Sequence, residues 1–526
     1  MKRGIGPLLG AALGCVVLAA ALCPAPGQPV APFEMEGPRT ARNRIDTLVM
    51  EALRAHKIQP AHLCSDAVFL RRVYLDMIGT LPEPEETRRF LEDPRPDKRA
   101  ALIDALFARP EFAGYWSLKW CDVLRVKAEF PINLWPNAVQ VYHRWILEAI
   151  RDHKPYDRFV RELLTTSGSN YRNPPVNFYR AVQGQEPAAI AAAVALTFMG
   201  ARVAQWPDDR RAGLEAFFTR VAFKTTAEWK EEIVYLDPAP AGPLAAVFPD
   251  GKAVIIPAGT DPRGVLADWL IRANNPWFAR NIVNRIWSWL FGRGILHEPD
   301  DIRPDNPPTN PALLAFLEKE LVAGKYDLRH VFRLILSSRT YQQSPIPRSD
   351  HPKAEALFAF YPVRRLDAEV LVDALCQICG STEQYSSAIP EPFTFIPEAN
   401  RTVELADGSI TSKFLEMFGR PARDTGLESE RSNQPTDEQR LHLLNSSHVQ
   451  QKIERGSKLR RLFEGARGNR QRSVEAVYLA VLSRYPTAAE QAAVEQYFQG
   501  KGVNFRTGMH DLVWSLINTK EFLYRH

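Results

Sequence analysis

Apolar residues recur every three or four positions along most of the chain, as at Ile45, Leu48, Val49 and Leu53, and Val68, Val73, Leu75 and Met77 around Leu70-Arg71-Arg72 read as a further helix. With 3.6 residues to a turn, that spacing puts them on one face of a helix. The same period, bounded by Pro, Gly or Asn, predicts further helices at 97–108, 137–152, 156–164 and 186–199. It resumes at 262–272, 277–291, 311–322, 328–337, 366–378, 436–444, 472–482, 488–498 and 508–519. Between these two sets the composition turns to Pro, Ala and Gly, and Val247-Phe248-Pro249-Asp250-Gly251-Lys252 reads as the turn of a hairpin. The pattern predicts a mainly α chain: a helical domain over 40–236, a Pro/Gly-rich linker with a short β-hairpin over 237–260, and a second helical domain over 261–526. Ser381 to Ser409, poor in periodicity and rich in proline, is expected as a long surface excursion.

The amino terminus follows a different pattern. Lys2 and Arg3 precede an apolar run from Leu8 to Leu22, and Pro24-Ala25-Pro26-Gly27 follows. The run is shorter than the roughly 18 to 20 residues that span a bilayer. It therefore predicts a signal peptide over 1–27, with cleavage after Gly27 and Ala19-Ala20-Ala21 as the alternative. The expected location is extracytoplasmic, periplasmic or secreted, with no permanent membrane span. Composition fits a globular protein: of 526 residues, 45% are hydrophobic and 24% charged. Lys plus Arg number 66 against 61 Asp plus Glu, a net charge of +5 that lends no support to nucleic-acid binding. The 41 prolines against 29 glycines imply short helices with stiff connections. Beyond the leader only Cys64, Cys121, Cys376 and Cys379 remain, too few for a disulfide framework, so the core must stabilise the fold.

Candidate chemistry is sparse. Cys376-Gln377-Ile378-Cys379 is followed by Gly380 rather than His, so it is not a haem site, and no second pair completes a zinc site. It reads as two small residues on one helical face or as a local disulfide between Cys376 and Cys379. A charged group is more suggestive: Asp300 and Asp301, Arg339, Arg364 and Arg365, Arg420 and Arg423, Glu428, Glu430 and Arg431. Carboxylates beside cations suit acid–base catalysis, with Glu428 or Asp301 as the acid or base, or binding of a hard metal. Arginines equally pin loops through bidentate ion pairs. His442 and His448 read as packing and capping residues or as metal ligands. Trp116, Trp120, Trp135, Trp145, Trp277, Trp287 and Trp289 read as core or as a sugar-stacking platform. No Gly-x-Ser-x-Gly, Walker, Rossmann or His-Glu-x-x-His pattern occurs.

Longer motifs carry a family resemblance. Leu70-Arg71-Arg72-Val73-Tyr74-Leu75-Asp76-Met77-Ile78-Gly79-Thr80-Leu81-Pro82, Asn284-Arg285-Ile286-Trp287, Phe291-Gly292-Arg293-Gly294-Ile295, Ser338-Arg339-Thr340-Tyr341-Gln342, Phe418-Gly419-Arg420-Pro421 and Leu441-His442-Leu443-Leu444-Asn445 occur in this order. Together they resemble the planctomycete cytochrome-c-associated proteins, secreted chains built of two consecutive domains of unknown function. The resemblance runs from about Arg42 to Tyr524 and implies electron transfer or polysaccharide use, beside a sulfatase-like secreted partner. Members often carry a haem domain and a Cys-x-x-Cys-His motif. Here Gly200 to Phe218, where that motif would fall, holds no Cys or His, and Leu427-Glu428-Ser429-Glu430-Arg431 stands where members place a Cys-Glu-Cys-Glu-Arg stretch. No cofactor is therefore expected. Three readings follow: a non-haem interaction scaffold acting with a partner enzyme, an enzyme on sulfated or acidic polysaccharide using the Arg/carboxylate cluster, and a redox accessory that docks a separate cytochrome.

Overall fold

Asn43 opens the first helix, Arg44–Ala55: its side chain accepts from the Asp46 N–H while the Asp46 carboxylate accepts from the Asn43 N–H. Ile45, Leu48, Val49 and Leu53 face inward from it, as their spacing predicts. The prolines find a use at helix starts. Pro84, Pro110, Pro136, Pro187, Pro262 and Pro311 each lie in a first turn, where the missing N–H costs nothing. The computed structural model describes residues 30–37, 40–239, 242–397, 399–465 and 469–526, and these are mainly α. The expected leader, 1–27, lies outside the described residues. Among the described residues no helix is long and apolar enough to cross a membrane.

Periodicity misses the helix that matters most here. Pro110–Val123 is buried almost all round, from Phe112 and Tyr115 through Trp116 and Trp120 to Cys121, so it has no polar face to mark its turns. Pro84–Glu92, Asp208–Glu215, Ser447–Arg455 and Ser457–Gly465 are likewise helices that the pattern does not announce.

The expected hairpin lies within 237–260, and an antiparallel sheet just precedes that stretch. Glu232–Leu236 is the middle strand of an antiparallel sheet, between Val221–Thr225 and Gly168–Ser169, with Phe223 opposite Val234. Leu244–Val247 pairs with Ala253–Ile256 in a hairpin, and Phe248 from its turn stacks on Trp269 with ring centres 5.3 Å apart. One contiguous apolar core runs from Ile45 to Phe522, in place of a separate core for each half. Trp289 meets Trp116 at 5.4 Å across the two halves. The end of the chain is drawn in as well: Tyr524–Arg525 pairs with Arg364–Arg365, and Arg71 donates to the carbonyls of Val481 and Phe522 at 2.8 and 3.0 Å.

Candidate functional site

Lys119 and Asp122 stand one turn apart on the apolar Pro110–Val123 helix, which carries both into the interior. Asp122 accepts from two arginines, Arg431 Nη2 to Oδ2 at 2.7 Å and Arg423 Nε to Oδ1 at 2.8 Å. Arg431 also grips Glu369, Nη1 to Oε2 at 2.7 Å and Nη2 to Oε1 at 3.0 Å, and Arg420 Nε lies 3.4 Å from the same carboxylate. The chain of charges continues through Asp367, whose Oδ2 accepts from Lys119 Nζ at 3.0 Å and Arg525 Nη2 at 3.1 Å. It ends at Asp76, which takes Arg364 Nη2 at 2.7 Å and the hydroxyls of Tyr341 and Tyr361 at 2.8 and 3.0 Å. Burial alone would raise Asp122 and Glu369, but Arg431 reverses the sign and holds both below the usual carboxylate range. For Asp367, Lys119 and then Arg525 overcome burial in the same way.

Glu428 behaves differently. Burial pushes its carboxyl up; Lys119 opposes the rise and Asp300 adds to it. Trp289 Nε1 donates to Glu428 Oε2 at 2.9 Å, and the Glu428 N–H donates to Asp300 Oδ2 at 2.6 Å. Asp300 is buried and paired with Arg285. Lys119, Asp122, Leu427, Glu428 and Arg431 surround a cavity of about 10 Å³, room for roughly one water and far below the size of small-molecule sites.

Asp300, Arg420, Glu428 and Arg431 therefore come together, with Arg364 further along the same ion-pair chain. Arg365 sits beside the cluster and donates to the carbonyls of Phe418 and Ser432 at 2.6 and 3.0 Å. Glu430 closes a loop instead, accepting from the Asp424 N–H at 2.8 Å and the Thr425 hydroxyl at 2.9 Å. Asp301 pairs with Arg303 at 3.0 Å. Arg339 does not join the cluster: the charges acting on it are Asp46, Arg42 and Arg99, because the Ser338–Gln342 segment packs on the first helix, where Thr340 N–H donates to Asp46. Cys376 and Cys379 are free thiols on one face of the Ala368–Cys379 helix. Burial pushes both up, Cys379 to about 12, and Lys452 Nζ lies 3.4 Å from Cys376 Sγ. His448 Nε2 meets Glu383 Oε1 at 2.7 Å, and its Nδ1 lies 3.4 Å from His442 Nε2. Among the described residues no group of three or more His, Cys, Asp or Glu is arranged to hold a metal ion. Sequence reasoning misses Asp76, Lys119, Asp122, Asp367, Glu369 and Arg525. A Lys and an Asp isolated inside the apolar run 112–124 are the one available signal, since buried charges require partners.

Phe418-Gly419-Arg420-Pro421 shows how local geometry serves the cluster. Gly419 has φ +80°, and a Cβ there would lie 1.8 Å from the Ser432 carbonyl oxygen that accepts from Arg365.

Residues 44–206 match the family model PSCyt2, a protein of unknown function (DUF1549), and residues 262–498 match PSD1, a protein of unknown function (DUF1553). The chain is a PSCyt2–PSD1 two-domain protein. No curated protein and no solved structure matches it. The PSCyt2 domain supplies Asp76, Lys119 and Asp122 to the charge network, and the PSD1 domain supplies Arg364, Asp367, Glu369, Arg420, Arg423, Glu428 and Arg431. The network is thus the joint between the PSCyt2 and PSD1 domains, and Arg525, beyond both, completes it.

Proposed function

We propose that the protein is a non-haem interaction scaffold that works outside the cytoplasm beside a partner enzyme. The observation that carries this reading is how its charged and motif side chains are engaged. Asp122, Glu369, Asp367 and Asp76 are each held by arginine or lysine. The motif residues make internal bonds: Arg72 lies over the Tyr361 ring at 3.7 Å, and Asn284 exchanges hydrogen bonds with the Leu296 backbone at 2.8 and 2.9 Å. A catalytic pair needs a substrate-sized space, and the cavity between Glu428 and Asp122 is smaller than that. An aromatic surface offers the docking face. Trp229 is 66% and Phe393 45% exposed, and Trp135 packs against Trp229 at 6.3 Å and Phe393 at 5.6 Å. Exposed aromatic patches of this kind mark contacts with other molecules. The partner that the resemblance implies is a secreted sulfatase-like protein, and the leader pattern over 1–27 favours a shared location.

The test combines the purified chain with that sulfatase-like protein in size-exclusion chromatography. Co-elution is expected, and Trp229→Ala should abolish it; separate elution of the wild-type pair removes the scaffold reading. The chain alone should release no reducing ends from a sulfated polysaccharide. Release that disappears in Glu428→Gln would move the function to the polysaccharide-enzyme reading. Amino-terminal sequencing of native protein should begin near Gln28, and an intact Met1 in a cytoplasmic fraction would refute export.

A further inference from the structure

Ser446 closes one helix of the PSD1 domain and opens the next. Its N–H donates to the His442 carbonyl at 2.9 Å, and its hydroxyl accepts from the Val449 N–H at 3.4 Å. The chain turns there between Asp437–Asn445 and Ser447–Arg455, so His442 in the last turn of one helix faces His448 in the first turn of the other. Phe414 stands edge-on to both imidazoles, its ring centre 5.6 Å from each, and Phe418 flanks His442 at 6.3 Å. The two rings are thus braced from the core side, while both residues remain partly open to solvent.

Glu383 fixes the proton on one of them. Burial raises its carboxyl, but His448 and Lys452, the latter 2.8 Å away, bring it below the usual carboxylate range. An ionised carboxylate only accepts, so the Nε2–H of His448 donates to Glu383 Oε1 at 2.7 Å, and the Nδ1 lone pair points away from Glu383, toward His442. His442 Nε2 lies 3.4 Å from that Nδ1, and among the described residues the His442 Nδ1 has no hydrogen-bond partner, which leaves it free to carry the ring proton toward water. Burial, and then His448, lower the His442 pKa against the pull of Glu438, so its neutral form prevails at neutral pH. At 3.4 Å the two facing nitrogens are further apart than the roughly 2.7 to 3.2 Å of a good hydrogen bond. Two nitrogens about 2.0 to 2.1 Å from one tetrahedral zinc lie roughly 3.3 to 3.4 Å apart, whereas the right angle of a tetragonal copper(II) site would bring them to about 2.9 Å at the same bond length. A carboxylate on the far nitrogen is also the usual support of a zinc-binding imidazole.

We infer that His442 Nε2 and His448 Nδ1 form a two-histidine site for a zinc ion, with Glu383 as the residue that positions His448. Two protein nitrogens are fewer than a closed structural site holds, so water or a small anion completes the coordination from the solvent side. The test titrates zinc chloride into the chelator-treated full chain by isothermal calorimetry at pH 7.5. One zinc per chain should bind, magnesium should not, and binding should weaken as pH falls through the imidazole range. His442→Gln and His448→Gln should each weaken zinc binding by at least about tenfold, and Glu383→Gln by about tenfold, with the zinc-free thermal midpoint unchanged. X-ray absorption of the wild-type chain with one zinc should show imidazole scattering in a shell at about 2.0 Å and no sulfur at about 2.3 Å. That spectrum decides the ligands whether or not the variants fold. Absence of saturable zinc binding up to about millimolar concentration, equal binding of magnesium, or full affinity in both histidine variants would each overturn the assignment. A sulfur shell would overturn it in favour of a site at the thiols.

Discussion

Arg431 holds two carboxylates at once, Asp122 from the Pro110–Val123 helix and Glu369 from the Ala368–Cys379 helix, and its planar fork is what allows this. Replacing it by Met leaves both acids buried without their main counter-charge. Arg431→Met is expected to lose roughly 3 to 5 kcal/mol of stability in urea unfolding, the usual result of breaking a buried ion pair from one side. Glu428 gives a pH signature of the opposite kind from its neighbours. Its folded pKa is raised above the roughly 4.3 of an unfolded glutamate, so its favourable contribution is complete below that value and is lost as pH rises through the folded pKa. Glu428→Gln has no proton to lose, and it should gain on wild type as pH goes from about 4 to about 7, read from urea midpoints across that range. A difference that is flat with pH would reject the burial argument. Asp122 and Glu369 are depressed, so their contribution is present above about 4 and is lost as pH falls through their folded values. At this scale the sequence offers Glu428 and Arg431 as candidates. It cannot supply Arg431's partner Asp122, which lies 309 positions away.

Helices with one wet face are legible because their polar residues mark the turns, and Arg44–Ala55, Leu328–Leu336 and Ala488–Phe498 fall where the period puts them. The Pro110–Val123 helix is not legible for the same reason, having no wet face, and it brings Lys119 and Asp122 with it. Single residues between the helices also fix the site. Gly419 lets the backbone pass against the Ser432 carbonyl at a positive φ that a side chain resists. Gly419→Ala must move that carbonyl away from Arg365 as well as strain the backbone, and a loss of about 2 kcal/mol or more is expected from the thermal midpoint. An unchanged midpoint would show that the segment relaxes freely.

The two family domains share one apolar core and one network of charges, so neither is closed without the other. Calorimetry of the full chain should give a single cooperative transition, and residues 44–206 expressed alone should lack one, since Trp116 would lose Phe332 and Trp289. Two separate transitions in the full chain would contradict this. By itself the sequence determined the helical class, the positions of most amphipathic helices, the hairpin around Pro249 and the family, because these depend on local spacing and on motifs read in order. The tertiary structure alone decided that Asp122 meets Arg431, that Arg339 stands apart, and that Trp116 packs on Trp289 and Phe332. The reason is physical: burial and ion pairing depend on which distant segments touch, and a chain's local period carries no record of its partner across the core.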